Sequence, residues 1–267
     1  MNLDSLLLEL QSELLDLGQY QMQGWLQLRD EQIHKKRDAL GEESTFTTYD
    51  VESERRLLQF VQSRFPDHSF LGEETGHHKG DPDHYWIVDP IDGTTNFTHS
   101  IPFWGPSVGY WYKGRPELGM IRFPALKRTY WARRGGGAFC DGVRLHTRTE
   151  TKYSMKTIVA LHSRAHMQEM VHVRGKLRIP GSIIANMCLL ASGDFIACAA
   201  RGRLWDIAAG VLLMQEAGAV VELQPGIEGL DVPAYAESPE GHKIFQLFTR
   251  ANAELPSLQK LLQRKTS

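Results

Sequence analysis

Cysteine is scarce in this chain. Three residues, Cys140, Cys188 and Cys198, occur among 267, and none belongs to a C-x-x-C pair. That argues against a disulfide framework or a cysteine-based zinc site and fits buried, reduced thiols in a cytoplasmic protein. Long apolar runs are missing too. None nears the ~20 residues that span a bilayer, so no membrane is expected as a partner. Leu6-Leu7-Leu8 lies between Asp4 and Glu9 with no basic stretch ahead of it, unlike a secretion signal. Neither sign of charge dominates: 30 Lys and Arg against 32 Asp and Glu leave −2. Nothing in that balance suggests a nucleic-acid footprint, which would need a basic face, so no nucleic acid is expected as a partner. The sequence also lacks internal repeats and low-complexity segments. What remains is an ordinary globular composition, 42% hydrophobic, in a chain long enough to bury a core without staples.

The apolar spacing organises the chain into two halves. Leu3, Leu6, Leu7, Leu10, Leu14 and Leu17 follow a helical period, predicting a helix over 3–28 that Gly18 and Gly24 weaken. Residues 30–48 are polar and read as a loop or a short hairpin. A second helix is predicted from Asp50 to Arg64, with Pro66 after its end. Strands are predicted at 84–88, 107–112, 118–123, 128–132 and 138–139, separated by turn residues. Residues 1–145 therefore read as helices against an antiparallel sheet. Residues 146–267 alternate, with strands at 157–161, 195–199, 219–223 and 243–248. Helices are predicted there at 165–173, 183–191, 205–217 and 253–263. That order predicts an α/β half.

Acidic residues gather at the ends of these elements. Glu73 and Glu74 follow Phe70-Leu71-Gly72, and Asp89-Pro90-Ile91-Asp92-Gly93-Thr94-Thr95 follows the strand ending at Val88. Asp206 and Asp50 each stand at the opening of a helix. Asp89 and Asp92 are three residues apart around a turn that Pro90 stiffens, so both carboxylates and the Ile91 carbonyl can face one point. Oxygen donors of that kind suit Mg²⁺, and no His or Cys stands in the motif to favour zinc. Gly93-Thr94-Thr95 opens a short helix whose free N–H groups can receive a phosphate. Gly93 has no Cβ to hold the anion off. Glu73, Asp89, Asp92 and Asp206 carry about −4 when all are ionised, a charge that divalent cations would neutralise.

Taken singly, each cluster also has a plainer reading. Asp92 can be the cap of a turn, Glu73-Glu74 a solvated loop, Trp205 a core anchor beside a cap, and Asp50 a helix cap. His77, His78 and His84 read as exposed loop histidines rather than ligands.

Together, G-E-E (72–74), D-P-I-D-G-T-T-N-F (89–97) and W-D-I-A-A-G (205–210) resemble the signatures of the inositol monophosphatase family. These are lithium-sensitive, metal-dependent phosphatases, and the similarity runs along nearly the whole chain in the same order. The resemblance implies an α+β fold, a layered α-β-α-β-α sandwich with the active site between the halves. It implies a phosphomonoesterase that uses two or three Mg²⁺ ions. By motif, Glu73, Asp89 and the Ile91 carbonyl would hold one ion, Asp89, Asp92 and Asp206 a second, and Glu73 would touch a third. Thr94 and Asp50, the latter in T-T-Y-D, would orient the attacking water, with a lesser role for Glu74. The backbone at Gly93 and Thr94 would hold the phosphate, and Gly181, Ser182 and Ile183 would line the substrate pocket. Homodimers are common in the family.

Two departures from the family pattern stand out. Ala199 occupies the position, seven residues before Asp206, where an acid usually binds substrate hydroxyls, and Arg201 and Arg203 lie near it. Lys35 and Lys36 lie where the family places a metal-loop lysine, and neither is assigned. The expected substrate is a small sugar or polyol phosphate of the inositol-1-phosphate kind. Histidinol phosphate, fructose 1,6-bisphosphate and nucleotide phosphates are alternatives. A regulatory binding protein on the same fold is the rival outside enzymology.

Overall fold

The computed structural model describes residues 3–37, 43–165, 169–171, 173–224, 226, 230–237, 245–260 and 262–264. Helix α1 spans Leu3–Gln27. It continues through both glycines because close packing requires them. A Cβ at Gly18 would sit 2.9 Å from Arg122 Nε, and one at Gly24 would sit 2.4 Å from the Tyr49 ring. Strands β1 (Ile33–Arg37) and β2 (Glu43–Thr47) pair antiparallel, so the polar stretch is a hairpin. Helix α2 covers Thr48–Arg64 and starts ahead of Asp50. Its cap is Thr47, whose side chain accepts from Tyr49 N and Asp50 N, while Asp50 in the first turn accepts from Thr47 N at 2.8 Å.

An eight-stranded sheet follows. Its strands are β3 (His68–Gly72), β4 (Gly76–His78), β5 (Asp81–Asp92), β6 (Gly105–Tyr112), β7 (Arg115–Phe123), β8 (Arg128–Arg133), β9 (Gly137–Cys140) and β10 (Val143–Arg144). They lie in the order 10-9-8-7-6-5-3-4, and the short helix α3 (Thr94–Thr98) joins β5 to β6. Every neighbouring pair is antiparallel except β3 and β5, so those two strands leave the sheet at the same edge. Side chains alternate along β5. Trp86 and Val88 pack with Leu10, Leu14 and Leu57 of α1 and α2, while Tyr85 and Ile87 face the opposite layer.

That layer belongs to the second half. After β11 (Ile158–Leu161), β12 (Glu169–Val171) and β13 (Lys176–Arg178) come α4 (Ile183–Ala191), β14 (Ala197–Gly202) and α5 (Leu204–Glu216). Then follow β15 (Val220–Gln224), α6 (Val232–Ala236), β16 (Phe245–Arg250) and β17 (Leu262–Arg264). A five-stranded sheet has the order 13-11-14-16-15. Helices α4 and α5 lie between the sheets. The largest core joins Ile184, Met187, Ala208 and Val211 to Ile87, Trp111 and Ile121 of the first sheet and to Cys198, Ala200 and Leu247 of the second. Helix α5 rests directly on the first sheet. A Cβ at Gly109 would lie 3.1 Å from Ala208, and one at Gly119 would lie 2.4 Å from Ala209 O. The order helix, sheet, helix, sheet is the expected one. The outer face of the second sheet is covered by Ala165, Leu255 and Leu258.

Two predicted helices differ from the structure. Within 165–173, Glu169–Val171 is a strand paired antiparallel with β17, while residues 166–168 and 172 lie outside the described residues. Within 253–263, Asn252 Oδ1 accepts from Glu254 N and Leu255 N, and Pro256 follows, so the chain turns instead of winding. Only Leu258–Lys260 forms a 3-10 turn. Residues 243 and 244 of the predicted strand at 243–248 also lie outside the described residues. The three histidines are not in loops: His77 and His78 belong to β4, and His84 in β5 stacks on His68 with ring centroids 4.3 Å apart. Among the described residues no helix is long and apolar enough to cross a membrane.

Candidate active site

The shared exit of β3 and β5 brings Glu73 beside Asp89. Between Asp89 and Asp92 the pairing of β5 with β6 slips by one residue, since Asp89 faces Ser107 and Asp92 faces Gly105. In a regular strand two residues at this spacing would point to opposite faces. The bulge restores Asp92 to the side of Asp89. Asp206 arrives from the other half in the first turn of α5, where it accepts from Arg203 N at 2.6 Å. Carboxylate oxygens of Glu73, Asp89 and Asp206 lie within 4.8 Å of one another. Gly202 leaves the room for this, because a Cβ there would be 2.6 Å from Asp206 Oδ2.

Crowding and burial raise the proton affinity of the three aspartates here. Asp89 is pushed well above the usual carboxylate range by burial, then by Glu73, Asp92 and Asp206. Asp206 is raised by burial and by repulsion from Glu73 and Asp92. Asp92 rises to about 6 through burial, opposed by hydrogen bonds from Ser182, Ile184 and Ile183. One cation faces the rim of the cluster: Lys36 Nζ sits 3.0 Å from Glu73 and 2.6 Å from Glu74. Burial works against the Lys36 charge, but the two carboxylates outweigh it and its pKa is raised. Glu74 is raised by burial and Glu73, with Lys36 opposing.

A hydroxyl–carboxylate pair, Thr94 with Asp50, stands beside these acids. Thr94 Oγ1 lies 3.1 Å from Asp50 Oδ1 and 3.0 Å from the Ile91 carbonyl, so its one proton is shared between two acceptors. Asp50 is buried and reaches about 7, chiefly through burial, although Thr47 donates to it from Oγ1 at 2.6 Å. Gly93 caps α3 in the left-handed region at φ +82°. Asp89 Oδ1 accepts from Ile91 N at 3.0 Å, which closes the turn around Pro90.

The segment at Gly181 sits against this turn. Ser182 Oγ donates to Asp92 Oδ2, and Ile183 N and Ile184 N donate to the same carboxylate at 3.3 Å. A Cβ at Gly181 would be 2.7 Å from Asn96 Oδ1, and Asn96 Nδ2 donates to Pro180 O at 2.9 Å. The structure thus gathers Glu73, Asp89 and Asp206, sets Asp92 beside them in the grip of Ser182 and α4, and places Thr94 and Asp50 at the edge. Ala199 is buried in the cluster of Val159, Leu161 and Phe248.

The donor set fits a hard divalent cation. It offers three carboxylates of like charge, one fully buried, with no imidazole or thiolate among them. The profile of the Inositol monophosphatase family matches residues 11–239. The chain belongs to the inositol monophosphatase family. It is therefore an enzyme of the phosphoric monoester hydrolase class, and its family is metal-dependent. Among relatives, the fructose-1,6-bisphosphatase/inositol-1-monophosphatase of Thermotoga maritima is 33% identical over 201 residues, covering 72% of this chain and 75% of that protein. Human inositol monophosphatase 1 is 33% identical over 193 residues, covering 66% and 69%. The solved extragenic suppressor protein suhB of Bartonella henselae superposes with a TM-score of 0.77 over 96% of both chains at 21% identity, a likeness of fold.

Three residues of this inositol monophosphatase-family site were not assigned from sequence. Thr47 fixes Asp50, and Lys36 bridges Glu73 and Glu74. Glu54, fully buried, accepts from Glu74 N at 2.9 Å and Thr75 N at 2.5 Å. The spacing of Asp50 and Glu54, one helical turn apart on α2, was a readable signal for the last of these.

Proposed function

We propose that this protein is a magnesium-dependent phosphomonoesterase acting on a small phosphorylated polyol or sugar of the inositol-1-phosphate kind. The observation that carries the reading is the convergence of Glu73, Asp89 and Asp206 beside the Thr94–Asp50 pair. Bound Mg²⁺, as two or three ions, supplies Lewis acidity and charge neutralisation for displacement at phosphorus. Glu73, Asp89 and Asp206 hold the ions, with Asp92 and the Ile91 carbonyl adjoining. Thr94 Oγ1 donates to Asp50 and keeps its lone pairs for a proton of the attacking water, which fixes that water's line of approach. The backbone at Gly93 and Thr94 receives the phosphate oxygens, and Gly181, Ser182 and Ile183 shape the neighbouring wall. Lys36 holds Glu74 at the rim. The setting we propose is the cytoplasm, and the assembly a homodimer.

The test is phosphate release from inositol 1-phosphate, histidinol phosphate, fructose 1,6-bisphosphate and nucleotide phosphates, with and without Mg²⁺. We expect Mg²⁺-dependent release from a polyol or sugar phosphate and none from Asp92→Asn. Absence of Mg²⁺-dependent release from every substrate would sink the reading.

A second reading is favoured by one observation. Ala199 is 1% exposed in an apolar cluster, so no carboxylate at that position offers itself to substrate hydroxyls. With Arg201 near the end of β14 and Arg203 capping α5, a substrate bearing a second phosphate is the alternative, as the double name of the Thermotoga relative also allows. Faster turnover of inositol 1-phosphate than of every bisphosphate and nucleotide would defeat it.

A further inference from the structure

We propose that Glu54 is a positioning residue for metal binding: it clamps the turn that carries Glu73. The inference rests on the reading of Glu73 as a metal ligand. Strand β3 ends at Gly72, and the chain reverses through Glu73-Glu74-Thr75 into β4, with Gly72 opposite Gly76. Lys36 of β1 pairs with the Glu73 side chain. The backbone of the turn is held from α2. Glu54 Oε2 accepts from Glu74 N, and Oε1 accepts from Thr75 N. Two successive peptide N–H groups on two oxygens of one carboxylate set both peptide planes after Glu73, and hence the direction in which it leaves the backbone.

Both oxygens are used, so an amide cannot replace the acid. Turned either way, its NH₂ would face a backbone N–H. The glycine ahead of the turn is explained by the same contact. A Cβ at Gly72 would lie 2.2 Å from Glu54 Oε1. Glu54 is wholly buried, and among the described residues no Lys or Arg pairs with it. An enclosed carboxylate without a cation is costly to keep, and the turn N–H groups are what it serves. Asp50 lies one turn earlier on the same face of α2 and accepts from Thr94 Oγ1. A single helix therefore steers the water-orienting pair with one carboxylate and the metal-bearing turn with the next.

Glu216 offers an internal control. Its carboxylate accepts from Gly135 N and Gly137 N, both at 2.8 Å, so it clamps another turn with the same chemistry. The experiment measures Mn²⁺ binding by electron paramagnetic resonance, together with thermal unfolding, on wild type, Glu54→Gln, Gly72→Ala and Glu216→Gln. We expect Glu54→Gln to weaken Mn²⁺ binding by about tenfold or more, the range for supports of metal ligands. Gly72→Ala, which keeps the carboxylate but wedges it from the turn, is expected to do the same. Glu216→Gln lowers the unfolding temperature without changing Mn²⁺ affinity. Wild-type affinity in folded Glu54→Gln and Gly72→Ala would overturn the proposal, as would an equal loss in Glu216→Gln. Failure of the wild type to bind Mn²⁺ would instead defeat the metal site itself.

Discussion

The hydroxyl of Ser182 donates to the carboxylate of Asp92, tying the start of α4 to the end of β5 across 90 residues of chain. The same oxygen accepts from Ala185 N at 3.1 Å as the cap of α4. Ser182→Ala removes both contacts. Loss of the cap is expected to lower the unfolding free energy by about 1 kcal/mol, read by urea denaturation. Loss of the donor raises Asp92 above its present value of about 6, so the acid limb of the pH–activity profile moves to higher pH.

Thr94→Ala deletes the hydroxyl that Asp50 and the Ile91 carbonyl share. The side chain holds no metal in the proposed mechanism. The expected result is a fall in kcat of about 10²–10⁴, the span for a lost proton-handling group. Mn²⁺ affinity should stay within a few-fold of wild type. A parallel collapse of metal binding would show that Thr94 supports the cluster rather than the water.

Protons and metal should both stabilise the fold, by relieving the same buried carboxylates, and should therefore compete. In the metal-free protein Asp50 sits at about 7 and Asp92 at about 6, and Asp89 and Asp206 are also raised, burial being the first cause in each. Unfolded carboxylates titrate near ~4. From there up to about 7 the folded chain binds more protons than the unfolded one, so stability falls as pH rises. The melting temperature without metal is expected to be lower at about pH 8 than at about pH 5. The increase produced by Mg²⁺ should be larger at the higher pH. Scanning calorimetry with and without Mg²⁺ reads both effects.

Gly93→Ala tests the backbone at the proposed phosphate position. A φ of +82° costs a residue with a Cβ about 1–2 kcal/mol, and the new Cβ would lie 2.7 Å from Phe103 O. Lower stability in denaturant and weaker product inhibition by inorganic phosphate are expected together. Full phosphate inhibition in a folded variant would remove Gly93 from the phosphate site.

The parts of the molecule legible in the sequence were those governed by local period. The leucine stripe of α1 and the strands from Ser107 to Ala132 needed only spacing and turn residues. What stayed hidden depended on pairing between segments. His84 was read without His68 because 15 residues intervene, yet the parallel run of β3 beside β5 lays the two rings face to face. The stretch 165–173 had the composition of a helix, but its middle pairs with β17 from the far end of the chain. At the site, the acids announced themselves by motif. Of their supports, Lys36 stands beside Lys35 as an unassigned candidate and Glu54 gives no motif, because they reach Glu73 and the turn behind it from elements 37 and 20 residues away.

Gly109 and Gly119 let α5 lie flush on the first sheet. Asp206 is consequently mounted on a seat that the other half provides, and its distance from Asp89 is set by the thickness of that seat. A methyl group at Gly119 would act as a shim, lifting the helix and detuning the cluster while every carboxylate stays in the sequence.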